Sequence, residues 1–412
     1  MRLKDVAHIN RHVLPETTDP GYSFKYIDIS AVDGRGRVAA PDEMTRFGIA
    51  PSRARRVALP GSTVVSTVRT YLRAIAQVPC ANEPLVFSTG FAVIEAKPGA
   101  DDRFLAYVCQ SQPFIDEVVA RSVGVSYPAI NPSDLGNIQV TLSPLDEQRR
   151  IADFLDAETA RIDQLRALQS AVRAAVLSRT VAHLDLKIDE FAAAHGTLPF
   201  RRMIRSIEQG VSPQCDNFAA SPDTWGVLKV SSVKNGSFFE AENKQLPLGL
   251  EPERRYEIKH GDLLITRANT PKLVGAAAVA DSPRKKLMLC DKIFRVVITE
   301  DLLQAFLVLV SLSTRIRAIC AEASHGTSQS MANLKTEEIK RWPIPKAPIY
   351  IQRAAIAELS AARDHARTLT DAIDRQLAVL AERRQALITA AVTGQTDVTT
   401  ARGLGPAGGT AV

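Results

Sequence analysis

Cysteine is scarce in this chain: five residues, at positions 80, 109, 215, 290 and 320 of 412, odd in number and without any C-x-x-C pair. Such usage argues against a zinc site and a disulfide framework, and predicts reduced, buried and inert thiols. Long apolar runs are missing as well. None reaches the eighteen residues that suggest a membrane span, and no apolar stretch follows Met1-Arg-Leu-Lys-Asp5, so neither a membrane span nor a signal peptide is expected and a cytoplasmic location is.

Catalytic patterns are equally thin. Asp33-Gly-Arg-Gly-Arg37 is a lone G-x-G, and Asn131-Pro-Ser-Asp134 stops after the first two residues of the Asn-Pro-Pro-aromatic loop that a base methyltransferase would need. Glu253, Glu257 and Lys259 are the residue types of a metal-dependent nuclease, but a strand leading into the turn at Gly261 accounts for them more simply. His8 and His12 have helix-face spacing and no third ligand nearby. No catalytic residue, cofactor or metal is assigned.

Acid is absent in two particular places. The net charge is +6, yet between Glu43 and Glu83 the chain carries Arg46, Arg53, Arg55, Arg56, Arg69 and Arg73 and no carboxylate. A second acid-free run, Asp262 to Asp281, contains Arg267 and Lys272 and is followed by Arg284, Lys285 and Lys286. One such run is as readily a solvated basic face; two, at equivalent places in a duplicated chain, favour nucleic-acid phosphates.

The duplication is organised by two long helices. Ser143 as N-cap, Pro144 at the first position and the acids Asp146 and Glu147 start the first, residues 144–186, whose apolar stripe is Ile151, Leu155, Ile162, Leu165, Val172 and Val176. A second, residues 347–398, repeats every seven residues at Leu359, Ala366, Ile373, Leu380 and Leu387, with Leu369 and Leu377 widening the seam. A helix of that length is too long and too polar for a globular core, so the two are expected to pack on each other. Landmarks before each helix recur about two hundred residues apart: Ser30 with Ser231, Gly61 with Gly261, Asn131 with Asn333, Gln148 with Gln352. The expected plan is module 1–143, helix, module 187–346, helix, then a disordered tail, 399–412. Strands are predicted over residues 26–29, 63–68, 85–87, 91–94, 226–233, 263–266 and 294–298, and helices over 104–120 and 302–323.

Several stretches resemble the specificity subunits of Type I restriction-modification systems. Pro144-Leu-Asp-Glu-Gln148 followed by Ile151-Ala152 looks like that family's entry into its first conserved helical region, and Leu387-Ile-Thr-Ala-Ala-Val-Thr-Gly394-Gln395 like the end of its last. Ser52-Arg-Ala-Arg55, Ser66-Thr-Val-Arg69, Ser88-Thr-Gly-Phe91 and Gly261-Asp-Leu-Leu-Ile-Thr-Arg267 look like parts of its target-recognition domains. Ser62 stands where the family usually has the Asp of a Gly-Asp turn, and Tyr350-Ile351-Gln352 lacks the acid before Gln.

The resemblance implies an α+β protein: two tandem target-recognition domains separated by helices that form an antiparallel coiled coil, with an internal pseudo-twofold repeat. It implies a non-catalytic reader of a bipartite, gapped site in double-stranded DNA, joined to two methyltransferase subunits and to restriction/translocase subunits, with the helices setting the spacing. Candidate DNA contacts are Arg53, Arg55, Arg56, Arg69 and Arg73 in the first module, and Lys234, Arg267, Asn269, Lys272 and Gln329 in the second. A coiled-coil nucleic-acid-binding scaffold outside restriction-modification is the alternative.

Overall fold

The computed structural model describes residues 1–323, 325–328, 331–396 and 398. They fall into two compact units, Met1–Ser170 with Asp374 onward, and Ala171–Ile373. Gln329 and the tail from residue 399 lie outside the described residues.

In the first unit a short helix, α1 (Leu3–Val6), leads into strands β1 (Ala7–Ile9), β2 (Ser23–Ile27), β3 (Thr45–Arg46), β4 (Ala54–Ala58), β5 (Thr63–Ser66), β6 (Ile75–Gln77), β7 (Leu85–Ser88) and β8 (Phe91–Ala96). One antiparallel sheet has the order β1-β8-β5-β6; a second, β3-β2-β7-β4, contains the parallel pair β2/β7. Every residue of β5 and β7 is buried, which suits their β-branched and aromatic content. Next come α2 (Asp102–Gln110), α3 (Gln112–Ala120) and α4 (Pro132–Gly136). The single helix expected over 104–120 is broken at Ser111, which is extended (φ −68, ψ 149) and turns its hydroxyl back to the Val108 carbonyl, 2.7 Å away. Pro113, just beyond, disfavours an unbroken helix.

Helix α5 (Leu145–His195) crosses from one unit to the other. It extends nine residues past the expected end because nothing stops it before Gly196, whose φ of +69 supplies the left-handed terminator. Ser143 does not cap it: the first helical bond runs from Gln148 N to Pro144 O, 2.9 Å, and Ser143 Oγ makes no hydrogen bond.

The second unit contains β9 (Thr197–Pro199), β10 (Ile204–Gln209), β11 (Gly226–Leu228), β12 (Val233–Lys234), β13 (Ser237–Phe238), β14 (Asn243–Gln245), β15 (Leu263–Thr266), β16 (Ala268–Asn269), β17 (Ala277–Val279), β18 (Leu287–Met288) and β19 (Ile293–Ile298). Then follow α6 (Gln304–Leu312), α7 (Thr314–Ala323), β20 (His325–Ser328), β21 (Met331–Asn333), α8 (Thr336–Lys340), β22 (Pro343–Pro345) and α9 (Ile349–Val392). The main sheet, β10-β19-β15-β17, is antiparallel and repeats the β1-β8-β5-β6 order. The strand expected over 226–233 is interrupted by a 3-10 turn, Val230–Ser232, matching the turn Ile29–Ala31 after β2. Helices α6 and α7 break at Ser313, as α2 and α3 do at Ser111, and bend by 73°. Among the described residues no single helix is long and apolar enough to cross a membrane.

Three of the four landmark pairs occupy matching places. Gly61 and Gly261 have φ of +87 and +86, a region costly for residues with a Cβ, in the turns that start β5 and β15. Gln148 accepts from Asp101 N at 2.8 Å and donates to the carbonyls of Gly99 and Ser143 at 3.1 and 2.7 Å. Gln352 does the same, accepting from Leu303 N and donating to the carbonyls of Asp301 and Ala347, each at 2.8 Å. The asparagine pair fails: Asn131 caps α4, whereas Asn333 lies in β21 and the N-cap of α8 is Lys335.

In each unit α5 and α9 pack antiparallel. Ile151 and Leu155 join one core cluster with Ile388, Ala391 and Val392; Leu184 and Ile188 join the other with Ala355 and Leu359. Ile162, Leu359 and Ile373 are buried, and Val176, Leu380 and Leu387 half-buried. Leu165 and Val172 are not in the seam, being 45% and 52% exposed. The covered row instead runs Ile151, Leu155, Thr159, Ile162, Arg166, because a straight helix turns every 3.6 residues and the apolar residues at 165, 168 and 172 form a separate stripe beside it. Leu369, 40% exposed, leaves the α9 seam to Ala366, Thr370 and Ile373.

Candidate nucleic-acid interface

At one end of the first unit, three pieces of chain meet around the turn Ser88–Gly90. Thr89 N donates to Arg53 O and Thr67 N to Gly90 O, both at 2.8 Å, which sets Arg53 and the Thr67–Arg69 segment on either side of it. A Cβ on Gly90 would stand 2.8 Å from Ile29 Cδ1, so a side chain there would make Ile29 shift. Arg53 also lies close enough to Asp28 to help hold that carboxyl below its ordinary pKa, an effect to which the Ser30 hydroxyl contributes most. Arg69 and Arg73 adopt left-handed conformations (φ 51 and 52) on either side of a 3-10 turn, Thr70–Leu72. Non-glycine residues held there store of order 1–3 kcal/mol each, and such positions concentrate at functional sites.

The arginines then separate. Arg69 lies over the ring of Tyr127, 5.1 Å from its centroid, and Tyr127 is 66% exposed on a hairpin closed by the Val123–Ala129 bridge. Arg55 stacks on Phe47 at 4.7 Å. Arg56 is half-buried, its Nε has no partner, and burial pushes its pKa down. Arg73 turns away from this group, donating to Gln112 Oε1 at 3.3 Å in a pocket shared with Glu382 and Gln385 of α9.

The second unit builds the corresponding end from different residues. Arg267 N donates to Lys292 O at 2.8 Å, the equivalent of the bond from Thr67 to Gly90, and β16 carries Asn269 alongside β21. Burial opposes ionisation of the Asp291 carboxyl, but the Ser212 hydroxyl, Lys292 and Arg267 outweigh it and hold the pKa below the ordinary value. Lys272 is exposed; its carbonyl and that of Val274 accept from Arg317 at 3.1 and 2.6 Å, which fixes the loop. Lys234 is not with these residues. It sits in the β12/β13 hairpin, whose turn is tied to α9 by Arg363 donating to Asn235 O at 2.6 Å and which lies against Val279, at the far end of β17 from Gly275.

Residues absent from the sequence-based set are Tyr71 and Tyr127, both exposed, with Ser30 and Thr89 in the first unit, and Ser212, Asp291 and Lys292 in the second. The repeat itself was the available signal, since Lys292 occupies the place of Gly90 in the aligned sheets. The sequences weighed for catalysis are engaged structurally. Asn131 accepts from the backbone of Ser133 and Asp134 at 3.1 and 3.0 Å, the Asp33 carboxylate accepts from Arg35 N and Arg37 N, and Glu257 accepts from Lys286 N at 2.8 Å. Cys109, Cys290 and Cys320 are buried, with burial pushing the Cys290 and Cys320 thiols up to about 11. Cys80 and Cys215 depart from the expectation of burial: Cys80 is exposed in an irregular loop and Cys215 is half-buried.

Residues 1–173 match the family model described as the Type I restriction modification DNA specificity domain. The match covers the first module and the start of α5, less than half of the chain. Over 159 residues the chain is 34% identical to the Type I restriction enzyme EcoEI specificity subunit of Escherichia coli, covering 38% of this chain and 27% of that protein. Over 309 residues it is 24% identical to the EcoKI specificity subunit of Escherichia coli strain K12, covering 71% of this chain and 65% of that protein. The matched stretches thus span about a quarter to two thirds of these relatives. The fold as a whole matches a solved chain from work on complex assembly and conformational transition of the type I R-M system, with a TM-score of 0.68 at 24% identity over 96% of this chain and 97% of that one.

Proposed function

We propose that this chain is the sequence-specificity subunit of a Type I restriction-modification complex, a cytoplasmic protein without catalysis of its own that reads a bipartite site in double-stranded DNA. The observation that carries this reading is the repetition of one loop arrangement on two copies of one scaffold, with different side chains on each: Arg53, Arg69 and Tyr127 on the first, Arg267, Asn269 and Lys292 on the second. Arginines and lysines at such ends suit phosphates and guanine edges, and an asparagine suits adenine. Different side chains in the two modules imply different half-sites. The free cysteines fit a reducing compartment.

Two methyltransferase subunits, and with them restriction/translocase subunits, are the proposed partners. Exposed apolar side chains on otherwise polar helices, Leu165 and Leu168 in the first unit and Leu177, Val181 and Leu186 in the second, are where helical segments of a methyltransferase would pack. The test is selection from a randomised duplex pool by the chain with methyltransferase subunits added. Enrichment of two short motifs separated by a fixed unread gap is expected; enrichment of RNA structures, or of no sequence at all, would favour the scaffold reading instead. Labelled methyl transfer or cleavage by the chain alone would refute the non-catalytic assignment.

A further inference from the structure

Away from the reading loops, the first unit brings Arg37 and Arg384 to the Asp163 carboxylate, beside Arg166, whose charge Arg35 also opposes. Asp163 and Arg166 lie three residues apart on α5, on one face of the helix. The loop carrying Arg35 and Arg37 is closed by the Asp33 carboxylate, which accepts from both backbone amides at 2.9 and 3.0 Å, and it delivers Arg37 to Asp163 at 3.3 Å. From α9, Arg384 reaches the same carboxylate at 3.9 Å.

The charges do not balance. Arg166 is only 9% exposed, its Nε is buried without a hydrogen-bond partner, and among the described residues no carboxylate lies within ion-pair distance of it. Arg384 Nε and Asp163 Oδ1 are likewise buried without a hydrogen bond. Burial lowers the Arg166 pKa most, Arg35, Arg384 and Arg37 lower it further, and Asp163 opposes them. A covered guanidinium left unpaired is strongly unfavourable, and several planar forks converging from three chain segments suit an anion with several oxygens better than a second lone carboxylate.

We propose that Arg35, Arg37, Arg166 and Arg384, set around Asp163, form a binding site for a phosphate-type oxyanion, supplied either by a small soluble phosphate or by a phosphodiester of bound DNA. Arg35 and Arg37, both exposed, form the entrance and Arg166 the floor. The site lies outside the base-reading loops and does not depend on them.

The test uses the full chain. Its thermal unfolding is followed in about 10 mM phosphate and in chloride of matched ionic strength, and its binding to a nonspecific duplex is followed over a salt series. Arg166→Gln/Arg384→Gln empties the floor; Arg35→Gln, an exposed change that leaves packing intact, covers the case in which the double variant does not fold. If the anion is soluble, phosphate raises the wild-type Tm by about 3 °C, the double variant loses that shift and Arg35→Gln reduces it. If it is a phosphodiester, phosphate moves no Tm, but the slope of log K against log salt falls by about one to two in the variants. A phosphate shift that survives in the variants, or no response of either measurement to the substitutions, overturns the proposal.

Discussion

The two modules share a scaffold and differ where a buried charge is concerned. In the second, Arg295 on β19 lies opposite Leu264 and is bonded to Glu208 at 2.7 Å, to Asp262 at 3.1 Å and to the carbonyls of Glu257 and Arg255. Burial disfavours its charge, but the two carboxylates outweigh this and raise its pKa. In the first, Val93 on β8 lies opposite Val64 at the same register, and the turn carries Ser62. The missing Asp of that Gly-Asp turn is therefore not an isolated departure: without the arginine there is no charge for the carboxylate to answer. The scaffold tolerates either a satisfied polar network or an apolar pair, and a half-made network is what it should not tolerate.

That contrast gives the largest expected effect. Arg295→Ala leaves the partly buried Asp262 and the carbonyls of Glu257 and Arg255 without their donor and should cost about 3 kcal/mol in denaturant unfolding of the second unit, whereas Arg295→Val combined with Asp262→Ser and Glu208→Gln should recover most of it. A triple variant no better than Arg295→Ala would show that the modules are not interchangeable at this position. The glutamine clasps come next. Gln148→Leu and Gln352→Leu each remove three hydrogen bonds from a buried site and should cost about 2–3 kcal/mol, by similar amounts in thermal or chemical unfolding; a large disparity would break the equivalence of the helix entries.

The loop ends proposed to read DNA should respond through binding instead. Arg69→Ala or Tyr127→Ala should weaken duplex binding by about 1–2 kcal/mol and relax preference at one half-site only, while Asn269→Ala relaxes the other, as read by competition between singly substituted sites. Relaxation of both half-sites by one substitution would count against separate readers. The smallest effect concerns strain. Arg73→Gly should raise stability by up to about 1 kcal/mol, since glycine adopts the left-handed conformation freely, and leave binding nearly unchanged because Arg73 is turned toward Gln112; Arg69→Gly should gain similar stability and lose binding.

Much of this plan was legible from residue spacing. Glycines 61 and 261 and glutamines 148 and 352 mark equivalent places because each position admits few residue types: a backbone at positive φ in one case, a side chain that must accept once and donate twice in the other. The sequence by itself therefore determined the repeat and the two long helices. Tertiary structure decided the rest. Periodicity offered α5 two apolar stripes, and only packing against α9 selected the one through Ile162 and Arg166 over the one through Leu165 and Val172. Ser111 and Ser313 broke helices whose spacing ran on unbroken, because bending there lets both halves lie against the sheet core. Composition counted Lys234, Arg73 and Arg69 alike as basic; which carbonyl, ring or amide each could reach was fixed by strands brought together from far along the chain, a property that local sequence does not encode.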